Sequence, residues 1–256
     1  MEEGIIELVH ALLNTKNNHI SLLQQINDEL LSKYQLSYGN YLKIFPKDVE
    51  IYYVNKGSNN PFVDTNMHCM LDPKTNTEIW GLQSNRFGKL YIHRKGMGGV
   101  DVCLSDSNDY ALCCSIKSAE VNGEDIWSGI KIRDIILKMI CENNHLSDKM
   151  EALNLLNSNK SSQVLSLRQQ PSQDYIYHIR RSSLRRRDKY VLSPLRSLSD
   201  LWNKKLVINN VQKVNLYMKA HPDENVLDVL REHGFRYIPL EIKIRYKIDR
   251  KAKLYE

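Results

Sequence analysis

Apolar residues recur at helical spacing twice near the start of the chain. They fall at Ile6, Val9, Leu12 and Leu13 within 4–14, and at Leu22, Leu23, Ile26, Leu30 and Leu31 within 19–34. Two helices are therefore predicted, broken near Asn17-Asn18. The period then changes to two: Val49, Ile51 and Tyr53 alternate with Glu50 and Tyr52, which predicts a strand over 48–54. Residues 55–86 are rich in Asn, Thr, Gly and Asp without a period, and so long a loop in a compact domain is usually functional or mobile. From Gly88 onward, KLYIHR and VDVCLS read as strands on either side of the turn KGMGG, and YALCCSIKSA as a third, largely apolar strand.

Helical spacing returns at Ile132, Ile135, Ile136 and Met139, in a segment that begins like a strand at Gly129. A short helix is expected within 145–170, followed by a Ser/Asn/Gln-rich connection, and KYVLSPLRSL reads as extended with a proline break. Two further helices are predicted over 204–219 and 223–233, the second opened by Pro222-Asp223 and closed by Gly234. The tail LEIKIRYKI alternates apolar and basic residues, as an exposed-face strand does. With no repeat and no sharp change of composition, one mixed α/β domain over 1–256 is the economical reading. Within it, 1–40 forms a helical extension and 204–256 carries the C-terminal helices and the basic strand.

Composition narrows the class. Of 256 residues, 42% are hydrophobic and 26% charged, as in an ordinary soluble globular protein. No run of about 18 apolar residues is present, so a membrane span is not expected. The opening MEEGIIELVHALL carries glutamates where a secretory signal would carry basic residues, and a cytoplasmic protein, in a bacterial cell, is expected. Cys69, Cys103, Cys113, Cys114 and Cys141 contain no CxxC pair. Adjacent Cys113 and Cys114 would face opposite sides of a strand, so buried thiols are expected rather than a disulfide framework or a zinc site. No cofactor or metal is implied.

The net charge of +6 comes from 36 Lys+Arg against 30 Asp+Glu, and it is concentrated in RRSSLRRRDK over 180–189 and KIRYKIDRKAK over 243–253. Such clusters attract polyanions, since each neutralised phosphate releases counterions. A solvated basic face without a partner fits the charge equally well. An anionic membrane surface fits less well, because the arginines do not follow an amphipathic helix.

Three charged residues interrupt apolar strands: Glu50 in VEIYYV, Asp101 in GGVDVC and Lys117 in CCSIKSA. Charges in such positions either face solvent along a half-exposed sheet or converge on a site, because burying them singly is costly. The order of the surrounding pieces is informative. Glu50-Ile51-Tyr52 is followed by Asn60-Pro61-Phe62-Val63-Asp64, then Leu90-Tyr91-Ile92-His93-Arg94, Gly99-Val100-Asp101 and Ser115-Ile116-Lys117. That order resembles the methylpurine (alkyladenine) DNA glycosylase family. It is most similar to a bacterial branch with Glu-x-Tyr, D-P-F-x-H, W-Y-F-H-R, G-x-D-I and I-L-I-R segments. Arg181-Ser182-Ser183-Leu184 and Pro194-Leu195-Arg196 echo that branch's P-R-V-G-L and P-Y-R-F pieces. The resemblance covers about 48–200.

The resemblance implies a mostly antiparallel, curved sheet flanked by helices, and roles position by position. Glu50 falls on the carboxylate that activates water, Asp101 on the base-reading position, and Lys117 on a cation near the catalytic carboxylate. Tyr52, Tyr91, His93 and Asp64 line the base pocket. Arg94, Lys95 and Met97 lie at the turn that meets DNA, with Met97 or Arg94-Lys95 as the wedge. Arg180, Arg181, Arg185, Arg186, Arg187 and Arg196 would hold phosphates. The chain departs from the pattern in carrying Asp for His at 64, Asp for Asn at 101 and Lys for Arg at 117, which bears on the identity of the base. Cleavage of an N-glycosidic bond passes through an oxocarbenium-like state that a carboxylate stabilises, and the base must first leave the stack. The implied activity is a monofunctional DNA glycosylase acting on double-stranded DNA with a modified or damaged base, with no obligate protein partner. Its base would be an alkylated purine, a deaminated base or a bulky modified base of an invading genome, the last in a defence role. Alternatives are a Lys117 amine nucleophile that nicks the strand, a non-catalytic nucleic-acid-binding module, and a metal nuclease built on Asp64, Asp72, Asp101 and Glu124.

Overall fold

A computed structural model describes residues 3–55, 62–64, 66–67, 83–94, 98–158, 160–181, 190, 193–202, 206 and 208–255. Lys95, Met97, Arg185, Arg186, Arg187, Asp72 and most of the 55–86 segment lie outside them. The contacts divide the chain into two compact units, Met1–Ser199 and Asp200–Glu256, although nothing in the composition marks a boundary there.

In the first unit, helices α1 (Glu3–Asn14) and α2 (His19–Lys33) lead into β1 (Tyr34–Tyr38) and the long β2 (Leu42–Asn55). Then follow β3 (Phe62–Val63), β4 (Leu90–Ile92), β5 (Val100–Cys103), β6 (Tyr110–Val121), β7 (Glu124–Ile126), α3 (Gly129–Asn144), α4 (Lys149–Asn157), β8 (Leu165–Leu167), β9 (Tyr177–Ile179) and β10 (Arg196–Leu198). Among the described residues the ten strands form one curled, antiparallel sheet ordered β4-β5-β6-β2-β1-β8, with β3 and β10 also paired to β2, β7 to β6 and β9 to β10. The mixed α/β class read from the pattern, in the α+β form with a mostly antiparallel, curved sheet that the resemblance implies, is what the chain adopts.

Strand β2 starts earlier than its alternation suggests. Pro46 reads as a break, because proline cannot donate to a ladder, but the pairing with β6 shifts register on both sides of Asp48. The irregularity accommodates the missing N–H, and the strand continues back to Leu42. Strands β8 and β9 are three residues long, too short to show a period.

One face of the sheet is apolar and covered. Val49, Ile51, Tyr53, Val100, Val102, Leu112, Cys114 and Ile116 join residues of all four helices, among them Ile5, Leu23, Ile26, Ile136 and Leu153, in one buried cluster. Within it, Asn27 of α2 is 0% exposed. Its amide donates to Ser197 Oγ at 3.0 Å, while Cys114 Sγ donates to its carbonyl oxygen at 3.3 Å. Cys113 faces the other way, with Val54, Met67 and Ala111, so the two adjacent thiols do sit on opposite faces. Cys103, Cys113, Cys114 and Cys141 are thiols outside any disulfide.

In the second unit, α5 (Asn210–Ala220), α6 (Val226–Glu232) and α7 (Leu240–Arg245) enclose Val214, Met218, Val229, Leu230, Ile238 and Ile242. Asn209 and Asn225 cap α5 and α6 by accepting backbone N–H bonds, so both helices begin later than the apolar spacing alone indicates. Gly234, at φ 71°, follows α6, as expected of a C-terminal stop. The strand expected in LEIKIRYKI is instead helix α7. Ile238 and Ile242 are buried four residues apart, whereas Leu240 and Ile244 are 61% and 63% exposed. Spacing of four, not two, selects what is buried, and over so short a segment the two patterns coincide.

Candidate functional site

The face of the sheet away from the helices carries the polar residues. Cross-strand register aligns them in a row: Tyr91 on β4 pairs with Asp101 on β5, Asp101 with Ser115 on β6, Ser115 with Glu50 on β2, and Glu50 with Arg196 on β10. Residues directly opposite on antiparallel strands project to the same side, so five strands contribute one polar stripe. Glu50, Asp101 and Lys117, separated by up to 67 positions in sequence, are brought to this one face.

Glu50 is 0% exposed. Lys117 Nζ lies 3.0 Å from its Oε2, Arg196 Nη1 lies 3.6 Å from its Oε1, and the Tyr52 hydroxyl donates to Oε2 at 2.9 Å. Arg196 also grips Asp48, donating from Nε at 2.8 Å and Nη2 at 2.6 Å. Two carboxylates and two cations thus neutralise one another, the arrangement in which buried charge is tolerated. Burial pushes the Asp48 carboxyl up despite the opposing pull of Arg196. Burial, reinforced by the Glu50 charge, raises Tyr52 well above the ordinary phenol range, so it stays a hydrogen-bond donor. Asp48, two residues before Glu50 on the same strand, was not singled out by its sequence, although a period of two puts both on one face.

Asp101 is the second centre. His93 Nε2 donates to its Oδ2 at 2.9 Å and Gln83 Nε2 donates to the same oxygen at 2.5 Å. Burial pushes this carboxyl upward, but the charge and hydrogen bond of His93, with Lys117 and Ser115 behind them, outweigh it and hold the pKa down at about 2. Tyr91, buried, meets the His93 ring edge-on at 5.1 Å between centroids. The glycine turn has a definite task here: a Cβ on Gly98 would fall 2.4 Å from His93 Cβ. A carboxyl held below its unfolded value contributes stability that is complete above about 3.8 and lost as the pH falls toward about 2. Asp101→Asn should therefore lose less stability than the wild type across that window, as read by urea denaturation at stepped acid pH; equal slopes would place the proton elsewhere.

The third pair is Asp64 with Arg181, both side chains 0% exposed and in direct contact. The Arg181 guanidinium also lies 4.8 Å over the Tyr52 ring and donates toward Ile51 O. Arg181 and Arg196 were expected to hold phosphates. Both are instead engaged inside the protein, their guanidinium groups taken by Asp64 and by Asp48 with Glu50, so they belong to the site itself. Arg180, next in the chain, is exposed. Arg94 is exposed and lies 3.4 Å from Asn154 Oδ1, and both remain free to meet a polyanion.

Gln83 and Asp48 are the residues of the site to which the sequence did not point, whereas Arg181 and Arg196 were expected at phosphates and not beside these carboxylates. Gln83 lies in the long unpatterned segment; Arg181 sits in the basic run 180–189, and Arg196 follows the break at Pro194. Of the nuclease set, Asp72 lies outside the described residues, Asp64 is paired with Arg181, and Glu124 is exposed on β7. Among the described residues no group of three or more His, Cys, Asp or Glu is placed to hold a metal, and no helix is long and apolar enough to cross a membrane.

No protein-family model matches the chain, and no curated protein matches it significantly.

Proposed function

We propose that the chain is a DNA N-glycosylase, which extrudes a modified or damaged base from double-stranded DNA and hydrolyses its N-glycosidic bond to leave an abasic site. The observation that carries this reading is the Glu50 carboxylate, buried between Lys117 and Arg196 and backed by Tyr52. Such a group stabilises positive charge developing on a sugar and orients water for attack on it. Tyr52 beside it, and Tyr91 and His93 further along the polar stripe at Asp101, supply rings for recognition of an extruded base. Exposed Arg94 and Arg180, with the rest of the basic segment, supply phosphate contacts. DNA in the cytoplasm, the cell's own or an invader's, is the substrate this reading implies.

Lys117 acts here as a cation beside the carboxylate rather than as a nucleophile. Its side chain is 33% exposed and paired with Glu50, not desolvated as an amine nucleophile needs to be. The test is mass spectrometry of bases released from DNAs carrying alkylated, deaminated and bulky phage-type modifications. A free base should appear with an intact, alkali-labile strand, and borohydride should trap no protein–DNA adduct. Binding of these DNAs without release of any base would overturn the reading in favour of a non-catalytic binding module. The complete burial of Glu50 is the observation that favours that second reading.

A further inference from the structure

The Asp101 carboxylate is satisfied on one side only. Its Oδ2 receives Gln83 Nε2 and His93 Nε2, with Cys113 Sγ 3.8 Å away. Its Oδ1 is buried without a hydrogen-bond partner in the protein, and so is Oε1 of the adjoining Gln83. Asp101 is 3% exposed and Gln83 0%. The orientation of the Gln83 amide follows from its neighbour, because only its NH2 can face a carboxylate oxygen at that distance. Two neighbouring buried acceptors, each lacking a donor, are costly unless a ligand completes them.

Their shared need is a pair of adjacent N–H donors. Among the ordinary bases in their neutral forms, adenine and cytosine place a ring acceptor beside the amino group, and thymine flanks its one N–H with carbonyls. Guanine alone offers N1–H next to the N2 amino group. The Nε and Nη2 groups of Arg181 are likewise buried donors without partners, suited to an acceptor such as guanine O6. The Arg181 guanidinium lies 4.8 Å over the Tyr52 ring, and Tyr52 pairs across the sheet with Cys113, whose Sγ is 3.8 Å from Asp101 Oδ2.

We infer that the site reads a guanine-type base, with Asp101 Oδ1 and Gln83 Oε1 accepting from N1–H and the N2 amino group. The inference rests on the glycosylase reading and goes further, since it names the edge by which the base is chosen. It also gives the Asp at 101 a reason: an amide there would present a donor on one side, whereas an ionised carboxylate can only accept.

The experiment compares 7-methylguanine, 7-methylhypoxanthine and 7-methyladenine, which share the N7 methyl group and differ only in the edge presented. Binding of the free bases is measured by calorimetry, and their release from otherwise identical duplexes by chromatography, at mildly acidic pH so that guanine N1 keeps its proton. The guanine-type base should be preferred by about 100-fold over the hypoxanthine type, which lacks only the N2 amino group. Asp101→Asn and Gln83→Met should each reduce that preference by about tenfold. Release with equal or reversed preference would overturn the inference while leaving base excision standing. Selective binding of free 7-methylguanine without any release would support the edge reading and overturn the excision reading. Neither binding nor release would overturn both.

Discussion

Glu50→Gln should reduce base release by at least about 10³-fold, the loss expected when a positioned carboxylate is removed from a reaction that develops positive charge. The substitution keeps the shape and leaves Tyr52 an oxygen to donate to, but it takes the counter-charge from Lys117 Nζ and from Arg196 Nη1. Binding to undamaged duplex should change by less than about threefold, because the exposed basic residues are untouched. Unfolding must be measured alongside, since removing one member of a buried charge set is itself destabilising. Glu50→Asp keeps the charge and withdraws it by one methylene; it should remain folded and lose about 10–100-fold in rate. Full activity in Glu50→Gln would remove this carboxylate from the mechanism.

Arg181→Met should destabilise the protein by about 3–5 kcal/mol, because it leaves the buried Asp64 carboxylate without its cation. Against a total stability of about 5–15 kcal/mol, such a loss is large enough to read directly from a shift in urea midpoint. Asp64→Asn in the same chain removes the orphaned charge and should return at least half of the loss, a coupling that a double-mutant cycle isolates. If Arg181→Met alone lies within about 1 kcal/mol of the wild type, the pair is not sealed from water.

The pattern of apolar positions was enough to locate α1, α2 and α3, whose helical spacing repeats, and the strands β4, β5 and β6, whose apolar runs flank or follow the KGMGG turn. It was insufficient where local chemistry interrupts that period. Pro46 hides the first half of β2, asparagine caps delay α5 and α6, and LEIKIRYKI fits a strand or a helix until Ile238 fixes the buried stripe. The site divides along the same line. Glu50, Asp101 and Lys117 are visible because charge is conspicuous inside an apolar strand. Arg181 and Arg196 read instead as phosphate contacts, because nothing in the local sequence shows that Arg196 pairs in register with Glu50 or that Arg181 meets Asp64. Gln83 gives no signal at all; its role comes from the 2.5 Å contact with Asp101.

Helices α1 and α2 precede the stretch on which the family resemblance rests, yet Ile5, Val9, Leu12, Leu23, Ile26 and Leu30 lie at the heart of the main apolar cluster, and Asn27 ties α2 to both β6 and β10. The limits of the resemblance are therefore not the limits of the folding unit. Anyone trimming this chain to a minimal fragment, or transplanting its polar stripe into another scaffold, has to carry the first forty residues along, since they form the keel on which the working surface is built.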